Sequence, residues 1–294
     1  MSRLVDPLIR RLHPHRIRRT FGAASCVREP AGFVIAELRN VPVVRRYRLR
    51  GSGLAAYVRH PLFDMWALEE QMRLRVYDPP EVVAQRLRAL ERPLRVLDLG
   101  GNAGYFGLFA FATLPVAEVV SFEPEPGNAR LLERQIAGNG LGDCWRLVEA
   151  CAAPADGDAE LVSSGLLSTA SPDPAATLEG EQERIRGFFP FLEGTPFLTR
   201  RRFRVESRDV FPFLSEADLI KIDIEGGEWA LLADPRFAET DATALILEYH
   251  PRYLAAGDAI EVLRESLEGA GYQVGEPERG ADAGLLWAWR ERSS

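Results

Sequence analysis

Arg95-Val-Leu-Asp-Leu-Gly-Gly-Asn-Ala-Gly-Tyr-Phe-Gly107 is the stretch that decides the fold. Val96, Leu97 and Leu99 read as a buried strand with Asp98 near its end, Gly100 to Gly104 as a tight turn, and the apolar run from Tyr105 to Leu114 as a core helix. In an open α/β sheet, ligands bind at the carboxyl ends of the strands, so a glycine-rich turn there is a candidate binding loop. A dinucleotide fingerprint, G-x-G-x-x-G, uses its second glycine to let the backbone approach a pyrophosphate. Here Asn102 holds that place, and the pattern is D-x-G-x-N-x-G. Asp98 would repel a pyrophosphate and welcome an ammonium or sulfonium. The loop therefore favours S-adenosylmethionine over NAD, its amino group meeting Asp98 and its carboxylate meeting free N–H groups of the loop and the helix N-terminus.

Working outward, Ala117 to Phe122 reads as a second strand ending in Glu123-Pro-Glu-Pro126. Glu123 stands where a carboxylate can accept both hydroxyls of a ribose laid over the first loop. A helix from Pro126 to Asn139, a strand from Trp145 to Ala150, and further strands at 218–224, 242–249, 271–274 and 285–289 complete an alternating pattern. The expectation is a class I, Rossmann-like α/β fold: a doubly wound, seven-stranded, mainly parallel sheet with one antiparallel strand, a small N-terminal extension and a lid-like insertion.

Asp218-Leu-Ile-Lys-Ile-Asp-Ile-Glu-Gly-Gly-Glu-Trp229 is the second informative stretch. Strict alternation puts Lys221, Asp223 and Glu225 on one side and Ile220, Ile222 and Ile224 on the other. A central strand is apolar on both faces, so three charges near its carboxyl end need partners or a task. Lys221, the deepest, is expected to pair with a neighbouring carboxylate such as Glu248, leaving Asp223 and Glu225 to face the cofactor's methyl group and the acceptor. His250, in Leu245-Ile-Leu-Glu-Tyr-His-Pro251, stands at the end of the adjacent strand, and its ordinary pKa suits a base at neutral pH. Metal ligation is not expected, because no spacing among these residues is diagnostic.

The remainder of the 294 residues bounds these readings. Residues 1–60 carry thirteen arginines against Asp6, Glu29 and Glu37, a net of about +10, which leaves the rest of this −7 chain at about −17. Such an arm can face nucleic acid or membrane; scattered arginines favour a solvated or internally paired face, and no nucleic-acid partner is expected. Residues 1–22 read as a helix with Leu4, Leu8 and Ile9 on one side, broken at Pro14, and Phe33-Val-Ile-Ala and 41–49 as short strands. Three cysteines without a C-x-x-C pair exclude a disulfide framework, Arg18-Arg19 lacks the apolar segment of an export signal, and no run is long enough to span a bilayer, so a cytoplasmic location is expected. Residues 1–92 are read as the extension and 93–294 as the main domain. Within the latter, residues 165–204, with Phe188, Phe189, Phe191 and Phe197, form a candidate substrate lid.

Together these segments resemble the FkbM family of S-adenosylmethionine-dependent methyltransferases. Val96 to Phe106, Phe122-Glu-Pro-Glu-Pro126 with Asn128 and Asn139-Gly-Leu141, Asp218 to Glu228, and Leu247-Glu-Tyr-His-Pro251 carry the likeness, with Tyr77-Asp-Pro79 as a lead-in. The resemblance implies methyl transfer, commonly to hydroxyls of sugars or natural products. The expected cofactor contacts are Asp98, Gly100, Gly101, Asn102, Gly104, Tyr105, Phe122, Glu123, Pro124 and Asp223. The expected reaction is O-methylation, with His250 or Asp223 taking the proton and Glu225 positioning the hydroxyl. A non-enzymatic or RNA-associated role for the scaffold, and an NAD-dependent oxidoreductase, are the alternatives.

Overall fold

The computed structural model describes residues 14–39, 41–61, 64–163, 168–169, 201–280 and 283–290. Helices α1 (Pro14–Ser25) and α2 (Pro30–Arg39) precede an antiparallel pair, β1 (Val43–Arg48) and β2 (Ala55–His60). Both helices open on a proline, whose missing N–H costs nothing in the first turn. The expected break at Pro14 turns on residues 1–13, which, with Leu4, Leu8 and Ile9, lie outside the described residues. Phe33-Val-Ile-Ala is helical and not a strand: Phe33, Ala36 and Glu37 are buried at helical spacing, so tertiary packing overrides the β-prone composition. Next come α3 (Asp64–Glu69), a π-helical turn over Glu70–Leu74, and α4 (Glu81–Arg88).

The main sheet begins with β3 (Leu94–Leu99), α5 (Tyr105–Thr113), β4 (Val116–Phe122), α6 (Pro126–Gly138) and β5 (Trp145–Val148). A separate four-stranded sheet follows, in the order β6 (Cys151–Ala153), β9 (Arg201–Asp209), β7 (Gly157–Ser163), β8 (Ser168–Thr169). Apart from Ser168, Thr169 and the first residues of β9, the candidate lid, including its four phenylalanines, lies outside the described residues. The chain then returns through α7 (Phe211–Leu214), β10 (Leu219–Ile222), α8 (Glu228–Ala233), β11 (Ala244–Tyr249), α9 (Ala259–Gly269), β12 (Gln273–Val274), β13 (Glu278–Arg279) and β14 (Gly284–Trp289).

The main sheet runs β12-β14-β11-β10-β3-β4-β5, with the two-residue β13 also pairing with β14. Neighbours from β11 to β5 are parallel, and β14 is antiparallel to both β11 and β12. This is the expected doubly wound, seven-stranded fold with its antiparallel strand inserted near one edge. Because β4 and β10 flank β3, the strand order reverses at β3, and the connections leaving β3 and β10 diverge to open a crevice.

The pleat divides the core between two faces. Leu97, Leu99, Ile220, Ile222, Leu245 and Leu247 pack on one face, and Val96, Leu219, Ala244 and Ile246 on the other. Asp98 and Lys221 share the second face and are direct partners in the β3/β10 register. The extension packs on that face, its Phe33, Val58 and Leu68 in one cluster with Leu94 and Val96. Amides of α6 satisfy β2's free edge: Asn139 bonds both backbone groups of Ala55 (2.7 and 2.9 Å), and Gln135 both of Tyr57 (2.8 and 2.9 Å).

Candidate active site

The loop after β3 is held by its own backbone. The N–H groups of Gly100 and Gly101 donate to the carbonyl of Phe122 (3.0 and 2.8 Å), that of Gly104 to Gly101 (2.9 Å), and that of Asn102 to Glu123 Oε2 (2.8 Å). A cofactor carboxylate is expected to meet free N–H groups of the loop and of the helix N-terminus. Three of these four loop donors tie β3 to the end of β4 and the fourth closes the loop on itself, which leaves the first turn of α5, where helical N–H groups have no partner within the helix, as the part of this segment suited to an anion. Gly100 has φ +85°, and a Cβ there would lie 1.8 Å from the carbonyl oxygen of Asp223, which brings the β3 and β10 connections into contact.

Glu123 closes the β4 side. Its Oε1 accepts from the N–H of Glu125 (2.8 Å) and from Asn128 Nδ2 (3.4 Å), and burial pushes its carboxyl up to about 7. Pro124 follows, half-buried. Two further residues expected at the cofactor also brace the framework. The Phe122 ring is fully buried against Phe213, and Tyr105 is buried with its hydroxyl donating to the Tyr57 carbonyl at 3.0 Å. Their side chains hold the loop and the extension in place.

Asp98 is 0% exposed. Its Oδ2 accepts from Ser121 Oγ at 2.9 Å, and Lys221 Nζ lies 3.3 Å from Oδ1. Lys221 also donates to the Gly100 carbonyl (2.7 Å) and pairs with Asp223 Oδ2 (3.3 Å). Burial alone would lower the ammonium's pKa, but Asp223 and Asp98 raise it well above the usual lysine range. Lys221 does pair with neighbouring carboxylates, but these are Asp98 and Asp223 and not the suggested Glu248: in register Lys221 faces Asp98 on one side and Ile246 on the other, and Glu248 lies two residues further on. Asp98 thus meets a cation of the protein itself, Lys221. Asp223, a quarter exposed, presents the open carboxylate beside the loop.

His250 is 2% exposed and bonded at every polar atom. Glu228, fully buried, accepts from the His250 N–H (2.8 Å) and Nδ1 (3.1 Å), while Nε2 lies 3.2 Å from Glu225 Oε2 and the carbonyl accepts from Trp229 Nε1 (3.0 Å). Burial would lower the imidazole's pKa, but Glu225 and Glu228 push it up to about 10. At neutral pH it is a cation, and this chemistry runs against its expected role as the proton acceptor. Glu225 also meets Arg252 Nη2 at 3.2 Å. Ligand atoms of Asp223, Glu225 and His250 lie within 4.8 Å of one another, a grouping of metal-ligand type in which His250 and Arg252 already supply positive charge.

Glu248 differs from the other carboxylates. It accepts from the Tyr77 hydroxyl at 3.0 Å, and burial together with Asp223 pushes it up to about 8. Tyr77, edge-on to Phe106, comes from the extension. Sequence reasoning gave neither Tyr77 nor Glu228 a role. The signal for Glu228 was present as the third acid of Asp223-Ile-Glu-Gly-Gly-Glu228, which opens a helix at a spacing of three from Glu225.

No curated protein matches the chain. Among solved structures it is similar to a methyltransferase FkbM from Methylobacillus flagellatus KT (13% identity, TM-score 0.42, covering 93% of this chain and 59% of that one). It is also similar to an SAM-dependent methyltransferase from Agrobacterium tumefaciens (18%, 0.42, 84% and 70%) and a precorrin-6y C5,15-methyltransferase from Geobacter metallireducens GS-15 (15%, 0.37, 72% and 88%). Residues 98–274, more than half of the chain and spanning the strands just described, match the family described as the methyltransferase FkbM domain. The chain belongs to the FkbM family of methyltransferases.

Proposed function

We propose that the protein is an S-adenosylmethionine-dependent O-methyltransferase acting on a hydroxyl of a sugar or natural-product-like small molecule. The observation that carries this reading is the meeting, at the carboxyl ends of adjacent strands, of a glycine loop, a pinned Glu123, an open Asp223 and a weakly acidic Glu248. The donor set suits the cofactor: Glu123 receives ribose hydroxyls, the first turn of α5 a carboxylate, and Asp223 an ammonium or sulfonium. When bound, S-adenosylmethionine supplies an electrophilic methyl carbon.

The chain's own residues then orient the acceptor and receive its proton. An alcohol is a poor nucleophile until its proton has a destination. His250 is already protonated, Asp223 is paired with Lys221, and Glu225 is shared by His250 and Arg252. Glu248 is the group suited to take the proton, with Tyr77 orienting it and Asp223 and Glu225 accepting hydrogen bonds from the substrate.

The test is to incubate the purified protein with methyl-labelled S-adenosylmethionine and a panel of hydroxylated sugars and polyketides. Label recovered in a methyl ether supports the reading. Label recovered only on nitrogen or carbon acceptors would replace it.

A further inference from the structure

The net charge of the extension is only partly absorbed within the fold. Arg16 pairs with Glu37, Arg19 with Glu69 and Glu70, Arg48 with Glu29, and Arg59 with Asp64. Among the described residues of 14–60, Arg18, Arg28, Arg39, Arg45, Arg46 and Arg50 have no carboxylate partner, and four of these six, Arg18, Arg28, Arg39 and Arg50, lie around one apolar face.

That face is the outer side of α1 and α2. Arg18, Phe21 and Ser25 form an exposed stripe on α1, and Ala31, Ile35 and Leu38 one on α2, with Arg39 a turn beyond Ile35. Phe21 is 60% exposed, Ile35 48% and Leu38 40%. Between the helices runs a groove of about 590 Å³, lined by Phe21, Ala24, Ala31, Val34, Ile35 and Arg50. Arg28 lies in the connection that joins the helices beside Ser25 and Pro30. The two acids of residues 14–50 are Glu29, engaged by Arg48, and the buried Glu37.

We propose that this face docks on an anionic phospholipid bilayer. Apolar side chains ringed by arginines are the composition of an interfacial surface, where the former enter the acyl boundary and the latter meet lipid phosphates. A second copy of the same face would set arginine against arginine. A nucleic-acid duplex would satisfy the arginines but keeps its bases stacked inside, away from Phe21, Ile35 and Leu38, and a single strand could stack on Phe21 but would leave the aliphatic Ile35 and Leu38 unmatched. Charge also orients the molecule, because the remainder of the chain, at about −17, is repelled by the same surface.

The experiment is co-sedimentation of the full chain with phosphatidylcholine vesicles with and without about a quarter phosphatidylglycerol, at about 0.1 M salt. The expected result is binding to the anionic vesicles only. A Phe21→Ser, Ile35→Ser pair and an Arg18→Glu, Arg39→Glu pair should each weaken it by about tenfold or more. All four side chains are exposed, so an unchanged thermal midpoint verifies the fold. Three results would overturn the proposal. These are no wild-type binding to anionic vesicles, a solution dimer that the Phe21/Ile35 pair dissociates, or RNA binding lost in the arginine pair when vesicles are not bound.

Discussion

Lys221 Nζ stands 3.3 Å from Asp98 Oδ1, directly across the β3/β10 ladder, with both side chains almost wholly buried. The same ammonium holds Asp223 and the Gly100 carbonyl, so the only lysine in the chain ties the loop after β3 to the next strand end. Removing one partner of a buried ion pair strands the other, at a cost of about 3–5 kcal/mol. Lys221→Met is therefore expected to lower stability by that order in urea unfolding, and Lys221→Met with Asp98→Asn to recover part of the loss. Equal losses in the single and double variants would show that the pair is not coupled.

Glycine at 100 is demanded by both conformation and space. Its φ of +85° costs an L-residue about 1–2 kcal/mol, and a Cβ would meet the Asp223 carbonyl at 1.8 Å. Gly100→Ala is expected to displace the β10 connection and abolish cofactor binding in calorimetry. At Gly101, whose Cβ would approach Leu132 and Ser121 at 3.0 Å, alanine should weaken binding far less.

The imidazolium of His250 makes stability depend on pH with a definite sign. Its folded pKa, about 10, lies above the ordinary 6.5, so its contribution is complete below about 6.5 and is lost as pH rises through about 10. Glu228→Gln keeps an acceptor oxygen but removes a charge. The stability gap between wild type and this variant should narrow across that interval, as urea melts from about pH 6 to about pH 10 would record.

Glu248 gives the rate its own pH signature. With an acceptor in hand, kcat should rise with pH along a limb centred near 8. Glu248→Gln should remove that limb and lower kcat by about 10²–10⁴-fold with S-adenosylmethionine affinity preserved. The Tyr77 hydrogen bond favours the ionised carboxylate, so Tyr77→Phe should move the limb upward. An unchanged limb in both variants would remove Glu248 from the chemistry.

What was legible in the sequence follows from how local each determinant is. Alternation and glycine placement at 95–107 and 218–229 specify strand, turn and helix over short windows, and the seven strands emerge in the expected positions. Phe33-Val-Ile-Ala was misread because its β-branched pair sits in a helix stabilised by packing of Phe33 and Ala36. The partner of Lys221 depended on strand register, which no single segment encodes. The charge state of His250 depends on Glu225 and on Glu228, the latter brought to it by the folding of α8 beside the end of β11. Tyr77 reaches Glu248 across 171 positions of sequence, beyond any motif.

In the proposed reading, the loop after β3 and Glu123 hold an adenosyl cofactor. Calorimetric titration with S-adenosylmethionine, S-adenosylhomocysteine and NAD, repeated on Glu123→Ala, tests it most directly. Binding of the first two and not of NAD is expected, with the affinity lost or much reduced in a folded Glu123→Ala. Binding of NAD, or no binding of either adenosyl compound by the folded wild type, would contradict it.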